Sequence, residues 1–279
     1  NRTLLLLLIA LLLQCALALA VYWPRPDAGK LDQADALLPF DPALVRELQI
    51  GDQFDNETVL QRAGERWLLP DMENLPADGE KIEQLLASLA DSDQDWPVAN
   101  TPAASQRFQV ASYHYQRRLT FIGEDELLGS VFLGTSPGFR KVHARNETQD
   151  QIFSIQLSSF EAPATASAWL DRKLLQIRAP VRITADGYSL SREGGGWVNG
   201  TGQAPEQREL EALLSILRSL QVEGLAGEDQ QRDLAAAEAE LVLQISSLSG
   251  DNTLELFTLD SQHYIHSSAF RLFFTVSAY

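Results

Sequence analysis

Apolar and polar residues alternate along much of this chain with a period of two, and two stretches with a helical period interrupt the pattern. In residues 44–50, Leu44, Arg46, Leu48 and Ile50 stand on one side against Val45, Glu47 and Gln49 on the other, as a half-buried strand requires. Residues 58–62 and 66–69 continue as a second and third strand around Ala63-Gly64-Glu65. Pro76-Ala77-Asp78-Gly79 then opens a helix whose apolar residues Ile82, Leu85, Leu86 and Leu89 fall at i, i+3, i+4 and i+7. Four further strands are predicted at 117–122, 130–134, 139–144 and 151–155. Turns separate them at Gly123-Glu124-Asp125, Ser136-Pro137-Gly138 and Arg145-Asn146-Glu147. A short helical piece is predicted at 168–175.

The same order of elements then recurs. Strands at 180–185 and 188–192 flank the turn Asp186-Gly187, and Gly194-Gly195-Gly196-Trp197 parallels Gly64-Glu65-Arg66-Trp67. Ala212-Leu213-Leu214-Ser215-Ile216-Leu217 echoes Gln84-Leu85-Leu86-Ala87-Ser88-Leu89, and strands at 240–246, 254–259, 264–266 and 270–276 replay the later four. The offset is roughly 125–130 residues, the size of one small domain and too long for a solenoid unit. The expected fold class is therefore α+β, two similar modules of mostly antiparallel strands packed on helices. The modules are expected at 44–176 and 177–279, the second a diverged repeat of the first. If they are copies, Trp67 and Trp197 occupy equivalent places and both are largely buried against an amphipathic helix.

The first part of the chain is different. Residues 4–21 are apolar except for Gln14, and the next charge is Arg25. About 20 residues rising ~1.5 Å each match the ~30 Å hydrocarbon core of a bilayer. Tyr22 and Trp23 follow as interfacial aromatics, and Pro24 and Pro26 stop the helix. Arg2 precedes the run, while Asp27, Asp32 and Asp35 follow it. This predicts a transmembrane anchor at 1–23 with a cytoplasmic N-terminus, a tether at 24–43, and a domain on the outside. Two other readings stand beside it: cleavage at Ala18-Leu19-Ala20, and lipidation of Cys15 in the poor box Leu12-Leu13-Gln14-Cys15. Within the run, Ala10, Gln14 and Ala18 share one helix face. Two small residues flank a polar one there, which suits close contact with another transmembrane helix, while the mostly leucine faces opposite meet membrane lipid.

Composition narrows the functional classes. Among 279 residues, 22 Lys+Arg against 38 Asp+Glu give a formal charge of −16, which argues against nucleic acid as a partner. One cysteine excludes an intramolecular disulfide and a Cys-built zinc site. His263 and His266 are the closest histidine pair, and on a strand i and i+3 point to opposite faces, so they cannot share an ion. His114 and His143 stand alone. Gly194-Gly195-Gly196 lies between two strands and reads as a hairpin, not a phosphate loop. The acidic groups Glu124-Asp125-Glu126 and Asp91, Asp93, Asp95 lack the spacing and glycine of a calcium loop. Asn56-Glu57-Thr58, Asn146-Glu147-Thr148 and Asn199-Gly200-Thr201 fit the glycosylation sequon, at turn positions. No catalytic, metal or cofactor residue is predicted.

Gly64-Glu65-Arg66-Trp67-Leu68-Leu69, followed by Pro76-Ala77-Asp78 opening a helix, resembles the domain-of-unknown-function family numbered 4340. So do Leu119-Thr120-Phe121-Ile122-Gly123, Val131-Phe132-Leu133-Gly134, Lys141-Val142-His143-Ala144 and Trp169-Leu170-Asp171-Arg172-Lys173-Leu174-Leu175, over about residues 44–175. The resemblance implies a bacterial inner-membrane protein with one N-terminal helix and an extracytoplasmic domain. It also implies an ABC transporter permease and a second extracytoplasmic subunit as partners, and no catalytic residues. A non-catalytic accessory subunit of such a complex is the expected function. The alternative is a periplasmic module that captures a lipid, glycan or peptide in a groove between the modules. A hydrolase would need one histidine within reach of both a nucleophile and a carboxylate.

Overall fold

The computed structural model describes residues 36–91 and 96–277, together with Leu11 and Gln14. Among the described residues no helix is long and apolar enough to cross a membrane. The run 4–21 lies outside them apart from Leu11 and Gln14, which are both helical and exposed. Ala10 and Ala18 also lie outside, as do Asp93 and Asp95.

The first half runs β1 (Glu47–Asp52), β2 (Glu57–Ala63), β3 (Arg66–Leu69), β4 (Leu75–Pro76), α1 (Gly79–Ala90), α2 (Pro102–Arg107), β5 (Val110–Ala111), β6 (His114–Tyr115), β7 (Arg117–Ile122), β8 (Leu127–Leu133), β9 (Val142–Asn146) and β10 (Ile152–Ile155). The second runs β11 (Pro180–Ala185), β12 (Tyr188–Glu193), β13 (Gly196–Asn199), α3 (Gln207–Ser219), β14 (Val222–Leu225), α4 (Glu228–Ala236), β15 (Leu241–Ser247), β16 (Gly250–Leu259), β17 (Gln262–Ser267) and β18 (Phe273–Val276). Two eight-stranded sheets result, ordered β10-β9-β8-β7-β1-β2-β3-β4 and β13-β12-β11-β15-β16-β17-β18-β14. Every strand pairing is antiparallel, so the α+β class holds. Apart from the short strands β4 and β14, the two orders are the same. In each half a three-strand meander comes first, and the strand after the helices returns to pair with the first strand.

One helix covers the inner face of each sheet. Asp78 caps α1 by accepting from the Lys81 N–H at 3.1 Å, and Ile82, Leu85, Leu86 and Leu89 are all buried against Leu48, Ile50, Leu60 and Phe121. In α3 the equivalent leucines Leu210, Leu213, Leu214 and Leu217 pack on Ile183, Leu190, Ile245 and Leu254, yet only Leu217 is fully buried. A second, smaller layer covers part of each outer face. Over the first sheet it is α2 with the β5–β6 hairpin, packed on Phe132 and Ile152. Over the second it is α4, whose Leu234 packs on Phe257, Tyr264 and Phe273.

Several local expectations change. Residues 168–175 are not helical beyond a single 3-10 turn at Ala166–Trp169. The Trp169 indole N–H donates to the Pro163 carbonyl at 2.8 Å, and Leu170 bridges Ala77 in extended backbone, so the chain unwinds to anchor the start of α1. Trp67 is buried, as expected, with its indole N–H donating to Glu83 at 3.1 Å; Trp197 is only half-buried beside the smaller second core. The Gly194-Gly195 turn is a two-residue hairpin loop with both residues at positive φ, the backbone that favours glycine.

Candidate functional site

The densest cluster of family-resembling residues lies where the outer-face layer docks on β8 and β9. Val131 and Leu133 face α1, whereas Phe132 faces the docked layer, because successive strand residues alternate. At Gly134 the strand leaves the sheet directly beneath the Phe108–Gln109 backbone, and any Cβ there would collide with both carbonyl oxygens. The Thr135 N–H donates to the Phe108 carbonyl at 2.8 Å, which clamps the two segments together.

His143 sits beside this crossing. Its ring stacks on Phe108 with centroids 4.0 Å apart, and its Nδ1–H donates to the Thr135 carbonyl at 2.8 Å. Burial holds its pKa below the ordinary imidazole value; the Thr135 carbonyl opposes that shift and the Arg107 charge adds to it. The Arg107 guanidinium lies over the far side of Phe108, 4.5 Å from its centroid. Two residues further along β9, Arg145 is buried. It donates to the carbonyls of Val110 at 2.8 Å, Gln149 at 2.7 Å and Asn146 at 3.1 Å, and covers the Phe132 ring. The His143 Nδ1–H and the Arg145 Nε and Nη1 groups thus hold one layer to another through backbone oxygens.

The same residues border one end of the first sheet. Register aligns Ala144, Leu133, Arg117 and Asp52 across β9, β8, β7 and β1, so the β8–β9 loop, the segment after β10 and the β1–β2 turn share that end. The loop closes through a bridge between Gly138 and Lys141, with Phe139-Arg140 at its corner. Phe139 is 90% exposed and Phe160, after β10, is 86% exposed. The Arg117 Nε–H donates to the Ala162 carbonyl at 3.0 Å and ties the Phe160 segment to β7.

The described clefts are shallow and each lies on one sheet. The most polar, about 330 Å³, opens on the outer face between Tyr115 and the β1–β2 turn and is lined by Gln49, Asp52, Asn56, Arg118 and Thr120. Its polar groups are largely engaged: Asp52 accepts from the Phe54 and Asn56 N–H groups and the Asn56 amide, and Arg118 pairs with Glu147 at 3.8 Å. Slight burial pushes the Asp52 pKa up, but those hydrogen bonds and the Arg117 charge outweigh it and hold the carboxyl below its usual value. The boundary between the halves is packed: Val222, Phe274 and Val276 of the second sheet belong to the first sheet's core.

His263 and His266 point to opposite faces of β17, as their spacing predicts. His263 meets the Thr258 hydroxyl at 3.0 Å and His266 meets Glu255 at 2.8 Å, so neither joins a hydroxyl and a carboxylate. His143 has hydroxyl and carbonyl partners only. Among the described residues no group of three or more His, Cys, Asp or Glu could hold a metal ion. The Asn146 side-chain amide is buried and donates to the Leu37 carbonyl at 2.9 Å, which removes that sequon from any modification.

Residues 67–240 match the family described as Domain of unknown function (DUF4340), and the chain belongs to it. The matched span runs from β3 through the docked layer and α3 to the edge of β15. It therefore starts later and reaches further than the resemblance over 44–175. No curated protein and no solved structure matches the chain. Periodicity missed the docked layer at 96–116 in this region, as it missed β14 and α4. The layer's signal is local: Thr101 accepts from the Ala104 N–H as N-cap and Pro102 holds the first helical position.

Proposed function

We propose that the chain is a non-catalytic, membrane-anchored periplasmic accessory subunit of an ABC-transporter-type membrane complex. A permease and a second extracytoplasmic subunit are its partners. The observation that carries this reading is the use made of the family-resembling residues. Gly134 and His143 clamp one layer of the fold onto another, and neighbouring Arg145 does the same, so the groups a catalyst would keep free are engaged with carbonyls. The apolar run at 4–21 supports a single-pass anchor with its N-terminus in the cytoplasm. The shared strand order supports reading 44–176 and 177–279 as diverged copies of one module.

Purification of the full chain from membranes in mild detergent, with mass spectrometry of what accompanies it, tests the proposal. Recovery of a permease, its ATPase and a second extracytoplasmic subunit is the expected result, and their absence overturns it. The anchor face is tested in the same experiment. An interhelical contact through Gln14 is worth roughly 0.6–2 kcal/mol. Replacing Ala10 and Ala18 with Ile should then lower permease recovery more than replacing Leu6 and Leu13 with Ile. Equal recovery would mean that the segment only tethers.

A further inference from the structure

We propose that the β7–β10 corner of the first sheet's end rests on an anionic bilayer surface. Phe139 and Phe160 enter the headgroup layer, and Arg140, Lys141 and Arg107 lie against lipid phosphates. The proposal rests on the membrane-anchored reading above and adds an orientation to it.

Placement comes first. Phe139 and Phe160 sit on neighbouring segments at one end of the sheet, and they are the two most exposed large apolar side chains among the described residues. Single exposed apolar residues are ordinary on a surface; two phenylalanines projecting from loops at the same end of one sheet are not. The loop geometry pushes one of them outward. The Gly138–Lys141 bridge makes Phe139-Arg140 a two-residue corner, and Arg140 adopts φ 51°, a left-handed conformation that glycine takes without strain. Arginine is kept at that corner despite the cost.

Charge selects the occupant. The whole chain carries 22 basic and 38 acidic residues. At this corner the balance reverses: Arg107, Arg140 and Lys141 stand with one acid, Glu161, whose carboxylate already accepts the Ser158 N–H, while Arg117 is offset by Asp52 opposite it on β1. From the β8–β9 loop, the acids Asp52, Asp55 and Glu57 of the β1–β2 turn lie two to three strands away, about 10–14 Å. That exceeds the ~8 Å screening length at physiological ionic strength, so an approaching surface feels the local cations more than the net charge. Aromatic tips beside lysine and arginine suit the boundary between headgroups and acyl chains. Reach is not limiting either. Extended, residues 22–35 span up to about 46 Å, twice the ~23 Å of the seven-residue strand β8, so either end of the sheet can turn to the membrane.

The test uses the full chain with Cys15→Ser, reconstituted into nanodiscs of phosphatidylcholine with or without phosphatidylglycerol. An environment-sensitive dye is attached through Phe139→Cys, Phe160→Cys or, at the opposite end of β8, Leu127→Cys, where the native side chain is 63% exposed. Quenchers on the lipid acyl chains report depth. In phosphatidylglycerol discs the dye at 139 and 160 should be quenched strongly and the dye at 127 should not. Each cation near an anionic surface is worth about fivefold in partitioning. Arg140→Gly with Lys141→Gln should therefore weaken the quenching at 160 by about tenfold or more, and Arg140→Gly fits the left-handed corner, so the loop stays folded. Discs that incorporate the chain but leave 139 and 160 unquenched overturn the proposal alone, as does shielding that appears only when a permease complex is added. A chain that does not enter discs overturns the anchored reading and this proposal with it.

Discussion

At Gly134 the fold leaves room for no side chain, because the Phe108–Gln109 backbone crosses directly over it. A methyl group here meets two main-chain carbonyls, which cannot swing away as a flexible side chain would. Gly134→Ala is therefore expected to cost at least about 2 kcal/mol and to loosen the segment 96–116 before the sheet beneath it. Limited proteolysis checks this: early cleavage should appear between Pro97 and Gln116, and an unchanged cleavage pattern would show that the crossing relaxes. His143 adds a pH dependence to the same clamp. Its folded pKa lies below the ordinary 6.5, so the folded state favours the neutral ring. The stabilisation is complete above the unfolded value near 6.5 and is lost as pH falls from there through the folded pKa. Hydrogen-exchange protection in 104–116, corrected for the intrinsic pH dependence of exchange, should fall between pH 7.5 and pH 5.5. His143→Gln, which keeps a donor for the Thr135 carbonyl but does not titrate, should flatten that change.

Helices α1 and α3 share a spacing of leucines but not a depth of burial. Leu86 of α1 is buried in the large core, whereas Leu214 of α3 is only partly covered. Cavity cost follows burial, so Leu86→Ala is expected to destabilise by about 2–5 kcal/mol and Leu214→Ala by about 1 kcal/mol. Chemical denaturation in detergent measures both, and equal losses would mean that α3 is packed as tightly as α1. The contrast also explains what sequence patterning reveals. Strands β1, β2 and β11 alternate visibly because one face meets a helix and the other meets water. Strand β9 is buried at all five positions, since the docked layer covers its outer face, and the polar residues of Val142-His143-Ala144-Arg145-Asn146 do not announce that burial. Helix α4 buries only Leu234, and α2 is six residues long, so neither generates a helical stripe. The candidate corner was legible only in part. Val131-Phe132-Leu133-Gly134 and Lys141-Val142-His143-Ala144 stand out as a resemblance. The exposure of Phe139 and the crossing above Gly134 depend instead on contacts between segments far apart in the chain.

Two sheets with one strand order need not behave as two independent domains. The edge strand β14 and its neighbour β18 send Val222, Phe274 and Val276 of the second sheet into the first core. Backbone pairing reinforces the join: the Val222 N–H donates to the Arg172 carbonyl at 2.9 Å. The second sheet's own cluster of buried residues beneath α3 is small, so it borrows stability across this boundary. A fully buried phenylalanine at such a junction contributes to both halves, and Phe274→Ala is expected to cost about 3–5 kcal/mol. The informative readout is where the loss appears. If the halves unfold as one unit, hydrogen exchange should accelerate in β7 and β8 as well as in β16 to β18, with a single unfolding transition. If they are separable, protection in β7 and β8 will survive Phe274→Ala while the second sheet opens alone. The continuous core predicts the first outcome. It also makes the relative placement of the two sheets a fixed property, so an end held at a membrane would set the direction in which the second sheet meets a partner.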